Sequence, residues 1–143
     1  MSEDNKTITR HIFDEVWGAY NENKVEQYFA PNYINHPEMP GMPKGNEGVK
    51  AQVRMFASAV SDNKHTIEDL LADGDKVVIR WSATAKQTGE LVGIPATGKQ
   101  FKVTAINIYR FVGGKVVEGW SEYDSLGMMQ QLGAIPTPMQ AAK

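Results

Sequence analysis

The period of hydrophobicity changes once along this chain, and that change limits the folds open to it. Up to about residue 60, apolar side chains recur every three or four positions. From His65 to Tyr123 they alternate, over four runs long enough to be strands. A period near 3.6 marks the buried face of a helix and a period of two marks a strand. Helices first and strands afterwards exclude a βαβ order and indicate an α+β domain.

The individual elements follow. Ile8, Ile12, Val16 and Tyr20, widened by Phe13 and Trp17, predict a first helix. Residues 25–29 fit a short second helix ended by Pro31. Residues 33–36 read as extended, and 37–45 as a proline-rich loop in which Met39 and Met42 could form a pliable lid. Asn46 can cap a third helix with Val49, Val53, Phe56 and Val60 on its apolar face. Strands are expected over 65–72, 76–85, 101–111 and 115–123, with tight turns at Asp73-Gly74-Asp75 and Gly113-Gly114. Residues 126–132 suit a last helix, stopped at Gly133 and Pro136. The expected fold is a conical, barrel-like one. Helices pack on a strongly curved, mainly antiparallel sheet that encloses a pocket.

A chain of 143 residues suits one domain, over 1–135, with a loose tail over 136–143. It has no cysteine, which removes disulfides, thiol catalysis and Cys-type zinc sites. His11, His36 and His65 are scattered, so no metal site is expected. Fifteen basic against seventeen acidic residues leave a charge of −2, which argues against nucleic acid or an anionic membrane as partner. The polar start does not read as a secretory signal, and no apolar run approaches the ~20 residues of a membrane helix. A cytoplasmic protein is expected. Asn5-Lys6-Thr7 is then a chance match to a glycosylation sequon.

The last hairpin can be registered by hand. With Gly113 and Gly114 as the turn, Phe111 pairs with Val116, Tyr109 with Glu118, Asn107 with Trp120, Ala105 with Glu122 and Val103 with Asp124. One face then mixes aromatic and aliphatic side chains with Asn107, Glu122 and Asp124. That is the composition of a ligand pocket. A carboxyl buried there would have a raised pKa, which makes Asp124 or Glu122 a candidate general acid or base. Trp17, Trp120 and Tyr109 read as pocket wall. His36 lines the pocket mouth or hydrogen-bonds locally before Pro37, and His65 reads as structural. Asp124 also directly precedes the last helix, where an aspartate serves as an N-cap. Solvent-facing oxygens on that helix would remove it from catalysis. The opposite face, with Ile106, Ile108, Val117 and Tyr123, is apolar too and is the expected surface of a homodimer.

Several segments together resemble the SnoaL-like polyketide cyclases, or ester cyclases, of the nuclear transport factor two-like superfamily. They are Tyr33-Ile34-Asn35-His36-Pro37, Gly45-Asn46-Glu47-Gly48-Val49 and Gly93-Ile94-Pro95-Ala96-Thr97-Gly98. Tyr109-Arg110-Phe111 leads on through Trp120 and Asp124 to Gln130-Gln131-Leu132-Gly133. The resemblance implies a conical helix-plus-sheet fold. It also implies ring closure of a polyketide ester by intramolecular aldol condensation, with no cofactor. It places the acid–base aspartate at Asp124 and a pocket amide at Asn35. A strand histidine of that family has no counterpart over 102–111, where Asn107 is the nearest polar residue. The expected partner is an apolar, carbonyl-rich small molecule. Isomerase, hydrolase and plain ligand-binding activities remain open on such a fold.

Overall fold

The computed structural model describes residues 2–136, so the expected tail, apart from Pro136, lies outside the described residues. The first helix, α1 (Ser2–His11), runs into a wider π-helical stretch, Ile12–Gly18. The four-residue apolar stripe survives that change: Ile12 and Val16 are fully buried and Phe13 nearly so. A short 3₁₀ turn (Glu22–Lys24) leads into α2 (Val25–Tyr28). The chain is already extended at Phe29, where the expected helix still continued. Strand β1 (Phe29–His36) accommodates Pro31 because it is an edge strand. Next come α3 (Asn46–Ala59), β2 (Val60–Asp73), β3 (Lys76–Gln87), β4 (Gln100–Val112), β5 (Lys115–Tyr123) and α4 (Ser125–Gln131). Val60 opens β2 rather than closing α3, so β2 starts five residues earlier than expected.

The five strands form one sheet in the order β1-β5-β4-β3-β2, antiparallel except that β1 runs parallel to β5. The sheet does not close on itself. Instead α3 packs on both edge strands, β1 and β2, and so bridges the open side. Ile12, Phe13 and Val16 meet Val49 and Val53 of α3 and Val77, Ile79, Tyr109 and Val116 of the sheet in one core. Each fully buried Val or Ile there contributes about 1.5–3 kcal/mol. A second cluster, including Ala59, Leu91, Phe101, Met128 and Leu132, packs α4 and the 88–98 loop against the ends of α3 and β4.

The hairpin of β4 and β5 departs from the expected register. Val112 pairs with Lys115 and Phe111 with Val116, as expected, but Arg110 then pairs with Glu118 and Tyr109 with Gly119. Val117 is an extra residue, a β-bulge, and every later side chain of β5 changes face. Asn107 is therefore opposite Ser121, not Trp120, and Ala105 is opposite Tyr123, not Glu122. Trp120 and Glu118 join Ile106 and Ile108 on the outer face, while Ser121 and Tyr123 turn inward.

Candidate active site

Between the helices and the inner sheet face lies a cavity of about 550 Å³. Its walls are aromatic and aliphatic: Phe13, Trp17 and Tyr20 from the helix side, Phe56 from α3, and Trp81, Phe101 and Tyr109 from the sheet. An adjoining cleft of about 840 Å³ under the proline-rich loop shares Tyr33, Asn35, Glu38, Met39, Pro40, Val49 and Gln52 with it. The Gln52 amide donates to the Met39 sulfur at 3.3 Å, which holds that loop to α3.

The polar floor is built on β4. The Trp81 indole N–H donates to the Asn107 side-chain oxygen at 3.0 Å, and the Ser121 hydroxyl donates to the same atom at 3.3 Å. An indole nitrogen can only donate, so the Asn107 atom facing it is the oxygen. Both acceptor positions of that oxygen are used, and the amide NH₂ turns one hydrogen toward the Tyr109 hydroxyl and keeps the other to donate. Beside it, burial pushes the Tyr109 hydroxyl up to about 12, against the opposing pull of hydrogen bonds from Trp17 and Asn107. Tyr33 is raised further, first by burial and then by Tyr109 and Glu118, and its hydroxyl donates to the Asn35 side-chain oxygen at 3.1 Å. The Asn35 amide in turn donates to the Pro37 carbonyl at 3.2 Å. Gly119 is required here, because a Cβ would stand 2.3 Å from the Tyr33 hydroxyl.

Of the residues expected at the site, Trp17, Asn35, Asn107 and Tyr109 line the cavity together. Glu122 is exposed and reaches only the rim, because the bulge turns it toward Ile106. Trp120 and His36 are on the outer face. Their rings stack at 5.2 Å and 14°, and His36 Nε2 lies 2.8 Å from Glu118. That contact, followed by the hydrogen bond from Arg110, holds the Glu118 carboxyl below the usual range. Asp124 is exposed and does not line the cavity. Its Oδ1 accepts from the Gly127 N–H at 2.9 Å, which is the N-cap of α4. Gly127 permits this, since a Cβ there would lie 2.2 Å from an Asp124 oxygen.

Trp81, Ser121 and His65 are among the cavity residues that were not expected. Ser121 was hidden by the bulge. Two adjacent valines, Val116 and Val117, were the available signal, because strict alternation fails there. His65 lies well inside β2, facing the cavity, and not at a strand start. Among the described residues no group of three His, Cys, Asp or Glu side chains converges as metal ligands, and no helix is long and apolar enough to cross a membrane.

A five-stranded sheet with helices over one face, and an apolar cavity with a floor of neutral donors between them, defines a small-molecule pocket protein. A family model described as SnoaL-like polyketide cyclase matches residues 7–132. The chain is 32% identical over 131 residues to the aklanonic acid methyl ester cyclase of Streptomyces peucetius, covering 84% of this chain and 88% of that one. Among solved structures, TsrD from Streptomyces laurentii superposes with a TM-score of 0.86 at 32% identity, covering 93% of this chain and 97% of that one. A protein of ketosteroid isomerase-like fold from Catenulispora acidiphila has a TM-score of 0.72 at 19% identity, over 90% and 93% of the chains, and agrees in fold. The chain belongs to the SnoaL-like polyketide cyclase family.

Proposed function

We propose that this protein closes a ring in a flat, apolar, carbonyl-bearing small molecule by an intramolecular aldol-type reaction. In such a step a proton leaves a carbon next to one carbonyl. The resulting enolate carbon bonds to a second carbonyl carbon, and that oxygen takes up a proton to become a hydroxyl. The product is an isomer of the substrate, so no co-reactant is consumed. The site must favour negative charge developing on carbonyl oxygen.

The observation that carries this reading is the Asn107 amide, with its oxygen held by Trp81 and Ser121. Its N–H donors are fixed before the ligand arrives, in a cavity walled by aromatic rings. Preorganised donors of this kind are worth more in a dry site than in water, because they need no reorganisation as charge develops. Tyr109 and Tyr33, kept protonated by burial, add neutral hydroxyls beside it.

The test is incubation with an aromatic polyketide methyl ester, starting from the aklanonic acid methyl ester for which the Streptomyces relative is named. A product of unchanged mass, altered retention and one carbonyl fewer by NMR is expected. Saturable binding with no isomer formed would replace this reading with that of a carrier.

A further inference from the structure

The loop between β1 and α3 is a preformed tip on two fixed feet. Met39-Pro40-Gly41-Met42 closes a turn in which the Met42 N–H donates to the Met39 carbonyl at 3.1 Å. Proline second and a glycine at φ +83° third are what a type II turn requires. The first foot is the Asn35 amide on the Pro37 carbonyl, at 3.2 Å. At the second foot Gly45 lies against β1, where a Cβ would stand 2.1 Å from the Pro31 oxygen. The tip is tied to α3 by the Gln52 amide, which donates to the Met39 sulfur. A thioether is a weak acceptor, so this half-buried donor has a poor partner. Met39 and Gln52 line both the inner cavity and the outer cleft. Beyond them Ile34, Met42 and Pro43 give the cleft an apolar wall.

We propose that the cavity and the cleft are two compartments of one ligand site, joined at Met39 and Gln52. The flat ring system of the ligand occupies the inner cavity. An unbranched alkyl arm passes Met39 and lies in the cleft. A ketone or ester carbonyl links ring and arm, and its oxygen replaces the Met39 sulfur as acceptor of the Gln52 amide. A carbonyl oxygen is the stronger acceptor, so the exchange favours the ligand. Methionine suits the junction, because its unbranched side chain has three rotatable bonds and moves aside without moving the turn. The arm covers Ile34, which is 45% exposed in the empty protein, and affinity rises with the apolar area so covered. Glu38 and Lys44 stand exposed at the cleft, and their charges stay in water. This inference rests on the small-molecule reading of the cavity and names the class of ligand that the site selects.

The experiment uses three probes on the intact protein. They are the methyl and hexyl esters of anthraquinone-2-carboxylic acid and the hexyl ether of 2-(hydroxymethyl)anthraquinone. Binding is read from tryptophan fluorescence, since Trp17 and Trp81 wall the cavity. The hexyl ester is expected to bind about tenfold or more tightly than the methyl ester. It should bind about threefold to tenfold more tightly than the ether, which has the arm without the linking carbonyl. In Met42→Trp and Asn32→Trp, which fill the cleft, the hexyl-to-methyl ratio should fall to about one. In Gln52→Leu the ester-to-ether ratio should fall to about one. Each ratio is taken within one protein, so a loss common to all probes cancels. Equal binding of the two esters to the native protein, or a hexyl preference that survives both cleft variants, overturns the second compartment. An ester preference that is absent from the native protein, or that survives Gln52→Leu, overturns the role of Gln52. Failure of every probe to bind overturns this inference, whereas the expected ratios without ring closure would overturn only the proposed reaction.

Discussion

At the scale of single residues, the same side-chain type has different chemistry in different surroundings, and the histidines illustrate this. His36 stacks on Trp120 and pairs with Glu118 on the outer face. His65 is enclosed by rings, and burial pushes it from its ordinary 6.5 down to about 4. Between those two values the unfolded chain binds a proton that the folded chain does not. Stability therefore rises with pH across this window. The His65 contribution should be fully present above pH 6.5 and decline as the pH falls toward 4. The separation corresponds to on the order of 3 kcal/mol. Denaturant unfolding at pH 7 and pH 4.5 should show a smaller loss of stability on acidification in His65→Phe than in the native protein. Identical losses would mean that His65 titrates normally. None of this was legible beforehand, since a histidine read as the first residue of a strand carries no sign of burial.

At the scale of elements, the 93–98 loop owes its shape to one side chain. Gln87 is fully buried at the end of β3. Its amide nitrogen donates to the carbonyls of Ile94 and Pro95 at 2.9 and 3.2 Å. Its oxygen accepts from the Thr97 hydroxyl at 2.7 Å and the Thr97 N–H at 3.2 Å. The loop in turn sets Leu91, 1% exposed, into the second core cluster. Gln87→Leu fills the space and satisfies none of these groups. It should cost about 2–4 kcal/mol and increase hydrogen exchange over 88–98. An unchanged melting temperature would refute this role. Gln131 acts similarly at α4, where its amide pairs with both the N–H and the carbonyl of Lys102 at 2.8 Å. The elements themselves were legible because each buries one face and so leaves a period. The β5 register was not legible. A bulge adds a residue without changing the composition of either face, and hand registration from the turn assumes a ladder with no insertion. That single residue, Val117, moved Trp120 off the expected pocket face and left Glu122 only at the rim, whereas Asn107, on β4, kept its place.

At the scale of the whole molecule, the α+β order read from the change of period is the architecture observed, and the cavity follows from it. A sheet that does not close, with α3 spanning its two edges, leaves a hollow whose walls are the inner faces of both layers. The outer sheet face keeps apolar residues in contact with solvent, including Ile34 at 45% and Ile106 at 49% exposure. A second copy was expected to cover this face. The candidate site was legible where the β5 bulge does not reach it: Asn107 and Tyr109 on β4, Asn35 on β1 and Trp17 on the helical side. It was illegible where a carboxylate had two uses. Asp124 is an N-cap, and the local geometry of α4 decided that use. The proposed ring closure uses the Asn107 donor and leaves Asp124 as the cap of α4. It is tested most directly by kcat/KM for ring closure in Asn107→Leu and Asp124→Asn, assayed side by side. Loss of a preorganised oxyanion donor should lower it by about 10²–10³-fold in Asn107→Leu. Asp124→Asn retains a good N-cap and should stay within about twofold of the native protein. A collapse of activity in Asp124→Asn, with Asn107→Leu near native, would overturn this assignment and restore Asp124 to the chemistry.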